Sequence, residues 1–383
     1  MHHTAPLPPR GGRCYPRTMV ERSATTETRV PPNRNLRVTD PDRHPGTPPT
    51  RAVLRRGLEQ VLAGEIAVRG PLRITSRRPS PRASTYLADV VRVRFADGSS
   101  ERLLCKYAGG VDLDPSSPHR GLAHEAAVYE RVLRGAPLSL PHAWGSFRDS
   151  ATGEFGLVLR FYDDGLTSAQ ASDQGGDTAA VRWLAALHRW AESRVDDPAW
   201  RILERYDASF YLRWLDRTCE LARPLADEYP WLEQVATAYR DRIPLLAQAR
   251  PTLIHGEYTP RNAFWAEGRI MPVDWETAAI GPGQIDLAVY TFDWELDELH
   301  ELEAAYVDGR WGGAAPAEFA ETMLAARLYV SFHWIFSGSF RGDVPRVRSH
   351  LEGILDEAIR WGILPEPASG TMVASPEGPP DDA

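Results

Sequence analysis

Apolar residues recur at 53, 54, 58, 61 and 62, the spacing of one face of a helix, and predict a helix over Ala52–Ala63. Next come two β-rich runs, Leu72–Arg77 and Thr85–Phe95, the second carrying Val90, Val91, Val93 and Phe95. Asp97-Gly98 is a hairpin turn signal, and Leu103–Tyr107 is the predicted return strand. Leu122–Leu133 has helical spacing, with Glu125 in its first turn. Ala143–Phe147 and Phe155–Phe161 predict two more strands around a turn at Asp149–Gly153. Beyond these, helices are predicted over about 176–192, 209–224, 231–248, 284–307, 316–338 and 346–362. Short strands around Leu253, Ala263–Trp265 and Ile270–Val273 interrupt them. Strands first and helices afterwards predict an α+β fold in two lobes, a sheet lobe over 51–161 and a helical lobe over 162–364. No internal repeat is present.

Composition narrows the function classes. The chain has 383 residues, 43% of them hydrophobic, which is enough for two cores. With 44 basic and 52 acidic residues the net charge is −8, which argues against a general nucleic-acid-binding role. No run of 18 apolar residues offers a membrane span, and the first 30 residues lack a signal peptide's apolar stretch. Cys14, Cys105 and Cys219 are far apart and odd in number, which suits a reducing cytoplasm better than a disulfide framework or a zinc site. Residues 1–56 hold eleven arginines against four acids, and ten prolines fall in the first 50. That stretch cannot bury enough surface to offset its ordering entropy, so disorder is expected over 1–50, and again over 365–383.

Of the 44 basic residues, 43 are arginine and one is lysine, Lys106. A coding bias toward arginine accounts for the 43. Lysine is a compact point charge on a thin stem, so a tight phosphate site accepts it where a planar fork does not fit. Position at the end of a predicted strand makes Lys106 a candidate for such a site.

The densest chemistry lies at 255–276. The chain reads His255-Gly256-Glu257-Tyr258-Thr259-Pro260-Arg261-Asn262, then after eleven residues Asp274-Trp275-Glu276. A carboxylate and an amide share one loop, and a second carboxylate follows the next strand. Phosphoryl transfer needs these parts: a carboxylate to orient an acceptor hydroxyl and take its proton, and oxygen donors to hold Mg²⁺ against phosphates. The stretch resembles the aminoglycoside phosphotransferase and choline kinase family, whose signature is H-G-D-x-x-x-x-N followed by D-[WF]-E. The resemblance spans roughly residues 70–340. It implies a protein-kinase-like two-lobe fold, ATP or GTP as phosphoryl donor, Mg²⁺ as cofactor and a small-molecule hydroxyl as acceptor. It places Glu257 at the base position, Asn262 and Asp274 at the metal positions, and His255 where the loop is braced. Asp286 matches a structural acid, and Lys106 with Glu125 match the phosphate-binding lysine and its ion-pair partner. Leu184-Ala185-Ala186-Leu187-His188 resembles the family's L-A-x-L-H helix, with His188 read as a buried structural residue.

One feature departs from the family's pattern. The base is Glu rather than Asp, and the extra methylene carries the carboxylate about 1.5 Å further from the same backbone. The glycine-rich phosphate loop of protein kinases has no counterpart in the sheet lobe. Ser84 and Thr85, between the first two strands, are candidates to cover the phosphates with hydroxyls and backbone N–H groups. A hinge is expected near Arg160-Phe161-Tyr162. On the acceptor side, Tyr258 and Trp265 are pocket candidates, while His333, Trp334 and Phe336 fit a core better. The acids between Asp293 and Glu303 fit a solvated helix face. Two alternatives stay open at this point, a kinase acting on Ser or Thr of a peptide or protein, and a nucleotide-binding pseudoenzyme.

Overall fold

The structure is a computed structural model that describes residues 47–81, 86–108, 119–292, 294–334 and 343–366. The described chain opens with α1 (Arg51–Val61) and α2 (Ala63–Arg69). The Thr50 hydroxyl caps α1 by accepting from the Val53 amide at 3.4 Å. Five antiparallel strands follow: β1 (Leu72–Pro79), β2 (Leu87–Phe95), β3 (Ser100–Tyr107), β4 (Ala143–Arg148) and β5 (Phe155–Arg160), in the order β1-β2-β3-β5-β4. Between β3 and β4 runs α3 (Leu122–Ala127), which widens into a π turn at Val128–Val132.

Strand alternation gives this sheet two different faces. Val91, Val93, Phe95, Leu103, Cys105 and Tyr107 point backward and bury against Leu54, Leu58 and Leu62. Lys106 therefore points forward. It lies between Ala88 on β2 and Leu157 on β5, near the centre of the sheet.

The rest of the described chain is mostly helical, with α4 (Gly176–Ala191), α5 (Ala208–Ala222), α6 (Leu232–Arg240), α7 (Ile243–Gln248), α8 (Gln284–Tyr290), α9 (Leu296–Trp311), α10 (Phe319–His333) and α11 (Val344–Arg360). Six short strands are set among these helices. β6 (Leu166–Thr167), β9 (Phe264–Ala266) and β10 (Arg269–Ile270) form one small sheet, and β7 (Glu204–Arg205), β8 (Pro251–Ile254) and β11 (Ala279–Pro282) form another. Together they carry the loops at 255–263 and 271–278. The helices close on an aromatic core in which Tyr239 stacks on Phe332 with centroids 5.2 Å apart.

Three sequence expectations change. The helix expected over 231–248 is two, because Pro244 lacks an N–H and sits in the first turn of α7. The helix expected over 284–307 is also two, broken between Tyr290 and Leu296. β6, β7 and β11 were not legible in the pattern. β11 reads Ala-Ile-Gly-Pro, a loop-like string, and is a strand because β8 pairs with it along Ala279–Pro282. The tails expected to be disordered fall outside the described residues except at 47–50 and 365–366. Among the described residues no helix is long and apolar enough to cross a membrane.

Candidate functional site

The loop after β8 is held by its backbone. Asp286, fully buried in the first turn of α8, accepts hydrogen bonds from the amides of His255 at 2.7 Å and Gly256 at 2.8 Å. A carboxylate that takes two consecutive amides fixes the direction in which the chain leaves the strand. Gly256 has φ +83°, and a Cβ there would lie 2.6 Å from the Thr277 carbonyl oxygen, so both strain and space select glycine. The His255 ring nitrogen Nε2 meets the Val273 carbonyl at 2.9 Å, and Thr277 Oγ1 donates to the His255 carbonyl at 2.8 Å. His188 is buried between Asp286, 3.2 Å from Nε2, and the Tyr306 hydroxyl, 2.7 Å from Nδ1.

This bracing brings the sequence candidates together. Asn262 Nδ2 donates to the Glu257 carbonyl at 2.9 Å, closing the loop on itself and leaving Oδ1 as the acceptor end of the amide. The Asn262 carbonyl accepts from the Val273 amide at 3.0 Å, which sets Asp274 beside it. Asp274 has left-handed backbone, φ 72° and ψ 58°, a conformation aspartate tolerates better than most non-glycine residues.

From the sheet, Lys106 reaches across to this loop. Its Nζ lies 2.6 Å from Glu125 Oε2 and 2.8 Å from Asp274 Oδ1. Burial alone would lower its pKa, but Asp274, Glu125 and Glu276 outweigh burial and hold the ammonium well above its ordinary value. Burial pushes Glu125 up to about 7 despite Lys106. Asp274 goes the other way: burial would raise it, and the Lys106 charge and hydrogen bond hold it below the usual carboxylate range.

Three further residues join this cluster: Tyr86 and His119, which no spacing in the sequence marks, and Glu276, whose motif is marked but whose partners are not. Tyr86 donates to Glu276 Oε2 at 2.7 Å. His119 lies between two acids, Nε2 at 3.3 Å from Glu257 Oε1 and Nδ1 at 3.0 Å from Glu276 Oε1. Burial would lower the His119 pKa, but Glu257 and Glu276 raise it well above its ordinary value. The glutamate of Asp-Trp-Glu is thus tied to the sheet side of the cleft, a role its sequence position did not disclose.

The donor set fits a hard divalent cation. Asn262 Oδ1 and the second Asp274 oxygen are hard oxygen donors, the type Mg²⁺ takes in small number while phosphates supply others. Among the described residues no group of three or more His, Cys, Asp or Glu side chains is arranged to hold a metal by itself. Two donors plus phosphate is the arrangement these residues allow.

Other expectations resolve as follows. Ser84 and Thr85 lie outside the described residues. At the hinge position, the Phe161 amide donates to the Arg102 carbonyl at 2.9 Å. Tyr258 does not line a pocket. It is fully buried, its hydroxyl donates to the Ala180 carbonyl at 2.9 Å, and its ring stacks on Trp183. His333 is buried against Trp214, centroids 4.8 Å apart, as a core residue. Phe336 and Asp293 fall outside the described residues, while Glu295, Asp297, Glu298 and Glu301 face solvent.

A five-stranded antiparallel sheet with a forward lysine, paired to a helix glutamate and facing a braced loop on a helical lobe, defines a protein-kinase-like fold. Solved structures share it. A GDP complex of aminoglycoside 2'-phosphotransferase-IIIa matches with TM-score 0.56 at 14% identity, over 79% of this chain and 97% of that one. A choline kinase from Cryptosporidium parvum matches with TM-score 0.52 at 16% identity, over 80% and 98%. The choline kinase LicA from Streptococcus pneumoniae matches with TM-score 0.51 at 13% identity, over 78% and 99%. Residues 33–321 match the sequence profile of the phosphotransferase enzyme family, and the chain belongs to that family. No curated protein matches it in sequence.

Proposed function

We propose that this protein transfers the γ-phosphoryl group of ATP or GTP to a hydroxyl of a small molecule, with Mg²⁺ as cofactor. The observation that carries this reading is Lys106, whose ammonium spans Glu125 and Asp274 at the mouth of the loop that bears Glu257 and Asn262. Fold neighbours in complex with GDP and AMP support a nucleotide in this cleft. Choline kinases and aminoglycoside phosphotransferases among them support a small hydroxyl acceptor.

In this mechanism Lys106, oriented by Glu125, binds the donor phosphates. Asn262 and Asp274 hold the metal, which when bound neutralises phosphate charge. Glu257 orients the acceptor hydroxyl and takes its proton as the new O–P bond forms. The bond from the γ-phosphorus to the bridging oxygen breaks, and the electron pair leaves with the nucleoside diphosphate. Work in a reducing cytoplasm is consistent with free Cys105 and Cys219.

The test uses γ-labelled ATP and GTP with Mg²⁺ and a cell extract split into small-molecule and macromolecular fractions, with Glu257→Gln alongside. Label entering the small-molecule fraction with wild-type protein alone is the expected result. Label on protein would make it a protein kinase, and Mg-nucleotide binding with no transfer would make it a pseudoenzyme.

A further inference from the structure

A glutamate at the base position raises a physical problem. Its carboxylate sits on one more rotatable bond than an aspartate's, so it sweeps a larger volume unless something holds it. A displacement of about 1 Å from the productive position can cost about a hundredfold in rate. Among the described residues, His119 is the side chain that meets the Glu257 carboxylate, through Nε2 at 3.3 Å.

That contact has a built foundation. His119 Nδ1 lies 3.0 Å from Glu276 Oε1, and Glu276 is fully buried with its other oxygen taken by the Tyr86 hydroxyl at 2.7 Å. The segment carrying His119 is docked against the same turn. The Arg120 amide donates to the Glu276 carbonyl at 3.2 Å, His124 Nε2 meets the Ala278 carbonyl at 3.2 Å, and Arg120 pairs with Glu204. The ring thus lies at ion-pair distance from one buried acid at Nδ1 and from the second acid at Nε2, an order in which one acid places the ring that faces the other.

We infer that His119 is a positioning residue: braced by Glu276, its imidazole holds the Glu257 carboxylate where the acceptor hydroxyl is deprotonated. The inference rests on the phosphotransfer reading given above. It also explains how a longer acid serves at this position. The sheet-side segment 119–125 supplies the contact, so the base is set only when that segment is docked on the helical lobe.

The two ring nitrogens allow a test that separates positioning from anchoring. Glutamine carries its amide nitrogen about where Nε2 lies and keeps the Glu257 contact. Asparagine carries it about where Nδ1 lies and keeps the Glu276 contact alone. The assay is release of inorganic phosphate from MgATP with water as acceptor, read as kcat and KM for ATP. It compares wild type with His119→Ala, His119→Gln, His119→Asn, Glu257→Gln and the double variant His119→Ala with Glu257→Gln. His119→Ala is expected to lower kcat about ten- to a hundredfold, with KM for ATP within about threefold. His119→Gln recovers most of kcat and His119→Asn does not. In the Glu257→Gln background, His119→Ala costs less than about twofold more. If His119→Ala does not fold, the order of the Gln and Asn variants still decides. A better rescue by Asn, full multiplicativity in the double variant, or wild-type kcat in His119→Ala overturns the positioning role while leaving the phosphotransfer reading intact. Wild-type rates in Glu257→Gln overturn the base assignment, and this inference with it.

Discussion

Lys106 and Asp274 lie 168 residues apart in the chain and 2.8 Å apart in space. One comes from the sheet and the other from the loop after the short strands of the helical lobe. Their contact joins the lobes through one charged pair among several, with Glu125 Oε2 on the other side of the ammonium at 2.6 Å. A cation held between two carboxylates in a nearly closed space has little tolerance for a change of shape.

Lys106→Arg is therefore damaging even though it keeps the charge. A planar guanidinium needs room for a fork where the site has room for one ammonium. We expect kcat/KM for the nucleotide to fall more than about tenfold, with the fold retained. Lys106→Ala also strands Glu125, which is buried with Oε1 lacking a hydrogen-bond partner among the described residues. Losing one partner of a buried ion pair costs about 3–5 kcal/mol. Because Glu125 is already pushed up to about 7, it protonates at modest cost, and the loss should fall below that range. Steady-state kinetics and urea unfolding check the two variants. Wild-type kinetics in Lys106→Arg would mean that the lone lysine is an accident of composition.

Asp274 carries both a charge and a strained backbone. At φ 72° a residue with a Cβ is strained by about 1–2 kcal/mol, less for Asp and Asn. Asp274→Ala loses the oxygen donors and keeps the strain, Asp274→Asn loses charge alone, and Asp274→Gly relieves the strain. Stability should therefore rank Gly and Asn above Ala by about 1 kcal/mol, while all three lose Mg²⁺-dependent nucleotide binding. Calorimetric titration with ATP, with and without Mg²⁺, reads the second effect. Undiminished Mg²⁺-dependent binding in Asp274→Ala would remove the metal role.

The sequence disclosed much of this site and little of its frame. Glu257, Asn262 and Asp274 were legible because they share a short segment whose spacing is fixed by one loop and one strand. Lys106 stood out by composition, and Glu125 by its place in the first turn of the next helix. His119, Tyr86 and Glu276 form their cluster across 190 residues of chain in the case of Tyr86 and Glu276, and nothing in local spacing encodes such a meeting. The five-stranded sheet followed from runs of β-branched and aromatic residues and from turn signals such as Asp97-Gly98. β7 and β11 did not, since their extended backbone comes from pairing with one another and with β8, not from their own residues. Tyr258 went wrong for a similar reason: its neighbours in sequence are polar, while its neighbours in space are Trp183 and Tyr290.

Asp286 should matter for catalysis without touching a substrate. It accepts the His255 and Gly256 amides, and in Asp286→Ala the buried His255 amide loses its partner, at about 1–3 kcal/mol, as does the half-buried Gly256 amide at less. Gly256→Ala attacks the same turn from the other side, because its Cβ would meet the Thr277 carbonyl oxygen at 2.6 Å. Both variants should lose about 2 kcal/mol or more of stability, and kcat should fall more than KM for the nucleotide rises. The check is unfolding in urea together with initial rates well below the melting temperature. Stable variants with full kcat would show that the loop holds its shape by other means.

Stability of the ligand-free protein should fall as pH rises from about 4.5 to 8. Glu125 has a folded pKa of about 7 against the usual 4.5, so between those values the folded state holds a proton that the unfolded state has released. Its contribution is complete below pH 4.5 and is lost as pH climbs through 7, an effect of at most about 3–4 kcal/mol at about 1.4 kcal/mol per pKa unit. His119 acts in the same direction at higher pH. With its folded pKa well above the ordinary 6.5, its contribution is complete below 6.5 and is lost as pH rises through the folded value. Asp274 opposes them only in acid: its folded pKa is depressed, so its contribution holds above 3.8 and is lost as pH falls below that. Unfolding free energies at pH 5, 6, 7 and 8, at fixed ionic strength without nucleotide or Mg²⁺, give the profile. Glu125→Gln should flatten it between pH 5 and 7, and His119→Gln should flatten it above 6.5. A Glu125→Gln profile parallel to wild type would show that Glu125 titrates as an ordinary acid and that Lys106 compensates its burial in full.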